Sequence, residues 1–443
     1  MMADNFLSLS PGTRKEITVP FDSIWTSSDV GVVVKNGWVY TRKTTGSALI
    51  TATEKAPGIQ VVTFQITIVP SWNANRVELE VDKDYGKVYI INEKDGVLYA
   101  SIQTTGLELF TSTDGMQTLT KVSDLPDAQR LSPILITPNG YFLKTGTSVY
   151  YSKDLASWLK VVDITYNGLK HAFDYYHDIV TGKTYVYAGE YSTVSTHRCR
   201  VYRGVVEPDG SQTWSVALEF ISRDEYIANP NLSPVCWHIH VVTVDKATGD
   251  VYVGTGDDGN ECAIRKSTNN GDTWEIVGIG TQDWRTLSIW FTDSYMYWNM
   301  DSSSTQSVWR MKKGTTKKEL VVTLGCGSQW YHLWVKDDNG DDVVLMSTAP
   351  EGSRLDDHGR LFFIKENSNK TVEVEEVLLD PRIDGEDYFW ARQIEPYAQD
   401  QNGYLYANSR TANSTNTTKC YKIARCGLQS LQMLYMFPPP VFI

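Results

Sequence analysis

The feature that most constrains this chain is a short hairpin pattern that returns between runs of strand-like alternation. Glu207-Pro-Asp-Gly-Ser-Gln-Thr-Trp214 and Ser267-Thr-Asn-Asn-Gly-Asp-Thr-Trp274 align with each other; Ser112-Thr-Asp-Gly-Met-Gln-Thr-Leu119 and Ser152-Lys-Asp-Leu-Ala-Ser-Trp158 align less closely. Each suits a tight β-turn: Ser and Asp accept hydrogen bonds from the turn's amides, and Gly adopts φ > 0 without steric cost. The pattern ends at residues 119, 158, 214 and 274, a spacing that suits four-stranded units of about 40–50 residues with insertions. Alternation recurs around it in Val88-Tyr-Ile-Ile91, Tyr185-Val-Tyr187, Val251-Tyr-Val253 and Tyr404-Leu-Tyr406, while helical periodicity is nearly absent. The chain reads as all-β.

Composition narrows the functional classes. The 443 residues include 14 Trp, 25 Tyr, 13 Phe and 32 Gly but only 16 Pro, which fits many short strands joined by tight turns. Forty-one Lys+Arg against 53 Asp+Glu leave a net charge of −12. Non-specific nucleic-acid binding needs a cationic surface to displace counterions, so no nucleic-acid partner is expected. No stretch approaches the ~18–20 apolar residues of a membrane span, so no membrane insertion is expected. Met1-Met2-Ala3-Asp4-Asn5 lacks the basic-then-apolar order of a secretory signal, which points to synthesis in a cytoplasm without export. Six scattered cysteines (Cys199, Cys236, Cys262, Cys326, Cys420, Cys426) form no CxxC pair, so free thiols and no cofactor are expected.

Residues 1–72 read as a compact sandwich. Its strand candidates include Ile17-Thr-Val19, Val32-Val-Val34, Trp38-Val-Tyr40 and Val61–Ile68, with turns at Asn36-Gly37, Thr45-Gly46 and Pro57-Gly58. The order Trp25-Thr-Ser-Ser-Asp29, Val34-Lys-Asn-Gly-Trp-Val39, Gly46-Ser-Ala-Leu-Ile-Thr-Ala-Thr53 resembles the bacterial Ig-like group-2 module. That resemblance implies a spacer or adhesive domain with no catalytic residues. Val69-Pro70-Ser71-Trp72-Asn73 reads as the linker.

The recurring hairpin resembles the Asp-box, S-x-D-x-G-x-T-W, of the sialidase-like (BNR-repeat) β-propellers. The resemblance implies a propeller over residues 73–430. Its cycles count to seven: about 74–125, 132–164, 171–221, 237–280, 284–325, 329–379 and 388–427. Six is the alternative, because the short second cycle can be read as incomplete. Residues 431–443 form a Pro-rich tail. The prolines of Phe437-Pro-Pro-Pro-Val-Phe-Ile443 prevent it from extending a sheet, leaving a strap over the last blade or an assembly contact.

In a propeller the first strand of each blade lines the central channel. The expected first strands open with His171-Ala-Phe173, Trp237-His-Ile-His240, Trp284-Arg-Thr-Leu287, Trp330-Tyr-His-Leu333 and Trp390-Ala-Arg-Gln393. The candidate ligand-binding set at the channel mouth is therefore His238, His240, Asp257, Trp284, Arg285, His332 and Arg392. His238 and His240 stand at i and i+2, on one strand face. Second strands end in Glu190, Asp257-Asp258, Asn299 with Asp301, and Asn408 with Arg410. Three readings stand: a glycan or receptor pocket; a metal site from His238, His240 and a carboxylate such as Asp257; or polar lining that bonds to itself and to water. Spacing fixes no third metal ligand, so the expected set contains no metal ligand and no catalytic residue.

Sialidase chemistry in that family needs three arginines, a Tyr–Glu nucleophile pair and an acidic proton shuttle. No F/Y-R-I-P segment occurs, and Arg285 and Arg392 supply only two arginines, so hydrolysis is not supported. A group-2 module joined to an Asp-box propeller is similar to phage tail and surface proteins. The expected function is thus a non-enzymatic virion component, in a tail or on a head, binding a host-surface glycan or receptor. Its expected partners are other virion proteins and that receptor, with self-association left open and the virion as its location. The alternatives are a glycoside hydrolase acting on host polysaccharide and a purely structural virion adaptor.

Overall fold

Because successive side chains of a strand point to opposite faces, the alternating runs dictate strands, and the Gly and Asp positions dictate where they turn. The computed structural model describes residues 87–423 apart from 104–105, 127–132, 167–168, 170, 303–305, 325–328, 337–339, 349–358, 381–392 and 411–418; before residue 87 it describes the strands and Ser28. Among the described residues the α-helix is the single short segment Arg223–Ala228, opened by a capping box between Ser222 and Glu225.

Six sheets each take four consecutive strands as an antiparallel meander, spanning 87–124, 135–163, 173–219, 238–279, 289–324 and 329–380. We number them first to sixth. A further sheet is composite: Gln393–Gln399, Leu405–Arg410 and Lys419–Ile423 are joined by Arg76–Glu78 from far upstream. Tyr421 pairs with Glu78 and Ile423 with Arg76. The opening of the expected 74–125 cycle therefore belongs to the last sheet and not to the first. Pairing the two distant segments covers what would be a bare outer edge and locks the ring. The 132–164 cycle, which the six-bladed alternative reads as incomplete, holds a four-stranded sheet over 135–163, so six blades form from consecutive strands.

Apolar clusters form between sheets. Leu109 meets Ile136 and Leu143 between first and second, Phe142 meets Val186 between second and third, and Tyr187 meets Val253 between third and fourth. Ile264 and Trp298 join fourth to fifth, Trp290 and Phe362 fifth to sixth. Leu345 and Leu405 carry the packing into the composite sheet, and Ala100 and Tyr406 return it to the first. The sheets therefore close as a β-propeller. Burying each large apolar side chain contributes about 1.5–3 kcal/mol, so the ring is held chiefly by these interleaved layers.

All six meanders slip register once between third and fourth strands, at Leu109/Phe110, Val149/Tyr150, Val201/Tyr202, Ile264/Arg265, Val308/Trp309 and Leu361/Phe362. A bulge adds local twist, and its repetition lets flat meanders fan around an axis. The recurring hairpins join these same two strands. In the clearest, Ser267 Oγ accepts from Gly271 N at 2.8 Å, and Asn269 Oδ1 accepts from Thr273 N at 2.9 Å. Gly271 has φ +93°, a conformation that favours glycine. Trp274 Nε1 then donates to Ala217 O of the preceding sheet at 3.0 Å, so the motif clamps neighbours together.

Upstream, one sheet orders Phe6–Leu9, Val61–Ile68, Gly46–Glu54 and Ser23–Ser27; another orders Arg14–Glu16, Trp38–Thr41 and Val32–Lys35. The strand candidate at 17–19, the linker at 69–73 and the tail at 431–443 lie outside the described residues. Cys199, Cys236 and Cys262 are free and buried.

Candidate functional site

In an antiparallel meander the start of the first strand and the end of the second lie at the same end. The charged residues of the fourth and fifth sheets that occupy those positions consequently meet. His238 and His240 open the first strand of the fourth sheet, His238–Val244, and Asp257 follows its second, Val251–Gly256. Arg285 precedes the fifth sheet, and Asp301 follows its second strand, Tyr295–Asn299. Asp301 N donates to Arg285 O at 2.9 Å, which fixes the two side by side.

Asp257 is the centre of the network. Its Oδ2 lies 2.9 Å from His238 Nε2, and its Oδ1 lies 3.4 Å from His240 Nε2 and 2.9 Å from Arg285 Nη2. Arg285 also reaches Asp301 Oδ2, at 3.0 Å from Nη2 and 3.1 Å from Nε. Burial alone would raise the Asp257 pKa, but hydrogen bonds from His238 and His240, with the charge of Arg285, hold it far below the usual carboxylate range. Burial likewise works against the Arg285 charge, and Asp301 and Asp257 more than restore it. The site is only partly covered: Asp257 and Arg285 keep 21% and 24% of their side-chain surface exposed.

An aromatic stack holds the histidines. His238 lies between Tyr191, 4.2 Å away at 6°, and Trp237, 4.6 Å away at 20°. Tyr191 arrives by a bridge to His238 from the exit of the third sheet. The other nitrogen of His238, Nδ1, bonds to the Ser192 carbonyl. On the rim, the Arg223 guanidinium covers Trp237 at 4.4 Å and pairs with Asp258 Oδ2 at 2.9 Å. Asp257 and Asp258 thus face different partners. Gly256 permits the close approach: a Cβ there would stand 2.8 Å from both Arg285 Cγ and His240 Cε1.

The expected set is therefore divided. His238, His240, Asp257 and Arg285 come together. Trp284 does not join them: Gln282–Trp284 is a 3₁₀ turn and not a first strand, and its indole stacks on Trp298 at 5.0 Å inside the core. Its apolar surface is better buried between sheets than exposed at a mouth. His332 also stays apart from these four. It sits half-buried on Gln329–Lys336, paired with Ser288 Oγ and 5.6 Å from Trp290, and desolvation pushes its pKa down to about 4. Across the hub His171 meets Tyr331 at 5.0 Å, so side chains fill the axis at that depth. Arg392 lies outside the described residues.

The expected ligand-binding set omits Tyr191, Arg223 and Asp301, although Asp301 stands among the expected ends of second strands. Asp301 follows the second strand of the fifth sheet as Asp257 follows that of the fourth. Placing that end in register with Asp257 is what adds it to the site. Tyr191 and Arg223 carry no local signal.

No family model and no curated protein matches the chain. Among solved structures, one titled "Crystal structure of Nidogen/Laminin Complex" is similar at 11% identity and TM-score 0.32, covering 62% of this chain and 89% of that one. A glucose dehydrogenase is similar at 9% identity and TM-score 0.39, covering 66% and 94%. Neither likeness bears on function at such scores.

Proposed function

We propose that this chain is a non-enzymatic virion component, in a tail or on a head surface, that presents its propeller to a host-surface glycan or receptor. In this reading residues 1–72 are an Ig-like spacer. Residues 73–430 are a sialidase-like, Asp-box ring in which the composite sheet counts as a seventh blade. Residues 431–443 form an assembly tail, and the partners are other virion proteins.

One observation carries the binding role: half-buried Tyr191, and Trp237 capped by the Arg223 guanidinium, share a mouth with the partly exposed ion pair of Asp257 and Arg285. Flat aromatic surface beside fixed donors and acceptors is the chemistry that orients sugar hydroxyls. The same geometry speaks against Asp257 as the general acid of a hydrolase. A carboxylate held so far below neutral pH has no proton to give a leaving group.

The test uses purified full-length protein and host capsule polysaccharide. Arg285→Ala and Trp237→Ala are expected to weaken binding at least tenfold, with no reducing ends released by any variant. Release of reducing ends by the wild type, abolished in Asp257→Asn, would overturn the non-enzymatic reading. Mass spectrometry of purified particles that finds no copy of the chain would overturn the virion assignment.

A further inference from the structure

One ring nitrogen at this mouth has no hydrogen bond to account for its burial. His240 is 1% exposed, and among the described residues its Nδ1 is buried without a hydrogen-bond partner. It faces Asp301 Oδ2 at 3.8 Å, beyond hydrogen-bond range. A buried polar atom left in this way is costly and calls for an explanation. One ligand atom from each of His240, Asp257 and Asp301 lies within 4.8 Å of the others. Ligand atoms around a tetrahedral zinc ion stand about 3.4 Å apart, so closing the set takes movements of roughly an ångström.

We propose that His240, Asp257 and Asp301 form a site for a divalent transition metal of the zinc class, with Arg285 as its built-in competitor. One imidazole and two carboxylates make a borderline donor set; the imidazole disfavours magnesium and calcium, which take oxygen ligands. Arg285 Nη2 now bridges Asp257 Oδ1 and Asp301 Oδ2 at 2.9 and 3.0 Å. A guanidinium and a divalent ion cannot share those oxygens without strong repulsion, so metal entry requires Arg285 to swing away. Its partial exposure supplies the route. His238, bonded to Asp257 Oδ2 and to the Ser192 carbonyl, then orients Asp257 from outside the ligand set. The inference is independent of the glycan reading.

Zinc titration calorimetry on the full chain tests it, with a metal-free melting curve for each variant to establish folding. Arg285→Ala should bind Zn²⁺ at least tenfold more tightly than wild type. Adding His240→Ala or Asp301→Asn to that variant should remove one equivalent of zinc per chain. Equal affinity of Arg285→Ala and wild type, or a site that survives both double variants, would overturn the proposal. His240→Ala alone gives a check that needs no arginine variant: it should abolish the weaker wild-type site, and retention of that site would also refute the assignment.

Discussion

Lys144→Met tests whether the buried charge near the hub is a net cost to folding. The ammonium is wholly buried, and its Nζ lies 2.7 Å from Leu169 O and 3.3 Å from Ala172 O, with no ion pair among the described residues. Burial pushes its pKa down from 10.5 to about 7. That drop corresponds to a penalty of about 5 kcal/mol on the folded state at pH 6, where the unfolded chain carries the proton freely. Both carbonyls keep another donor, since Ala172 N bonds to Leu169 O at 3.0 Å and Gly189 N to Ala172 O at 2.8 Å. Methionine therefore strands no acceptor, and the lost charge-assisted hydrogen bonds offset only about 2 kcal/mol. The variant should be more stable than wild type by about 3 kcal/mol at pH 6. The folded pKa lies below the unfolded one, so the unfolded state binds more protons between pH 7 and 10.5 and wild-type stability rises across that window. By pH 9 the wild-type penalty falls to about 2 kcal/mol and the two proteins should be nearly equal. Urea denaturation followed by tryptophan fluorescence at both pH values measures the gap. A Met variant less stable at pH 6, or a gap unchanged at pH 9, would refute the reasoning.

Four other outcomes are expected. Trp284→Ala should destabilise the protein by about 3–5 kcal/mol, as a core cavity does, while any folded fraction binds ligand normally in an attachment assay. Asp257→Asn should cost about 3 kcal/mol at pH 7 by leaving Arg285 and two histidines short of a partner. Because the folded Asp257 pKa is depressed, that contribution is present above about pH 4 and is lost as pH falls further, so the two denaturation midpoints should converge in acid. His332 titrates at about 4 in the folded state, so wild-type stability should fall as pH drops from 6.5 towards 4, and His332→Gln should remove about 3 kcal/mol of that loss. Gly256→Ala should displace Arg285 or His240 and weaken ligand binding with a smaller effect on the melting temperature, both read on the same sample.

Much of the fold was legible because its signals are local. The hairpins at 112–119, 152–158, 207–214 and 267–274 each join the third and fourth strands of their sheets. His238 and His240 were legible as a pair for the same reason, since period two puts both on one strand face. Trp284 was misread because a Trp near the start of an expected strand has the same local appearance at a mouth, in a 3₁₀ turn or inside the core.

Alternation and turn residues were sufficient to specify most of the strands, the hairpins that clamp them and the all-β class, because those properties act within a few residues. Ring closure through Arg76–Glu78 and the meeting of Asp257 with Arg285 and Asp301 were settled only in three dimensions. Both depend on how far successive sheets rotate about the axis, and that angle is the accumulated result of twist, bulges and packing at all the interfaces together. No single stretch of residues contains it.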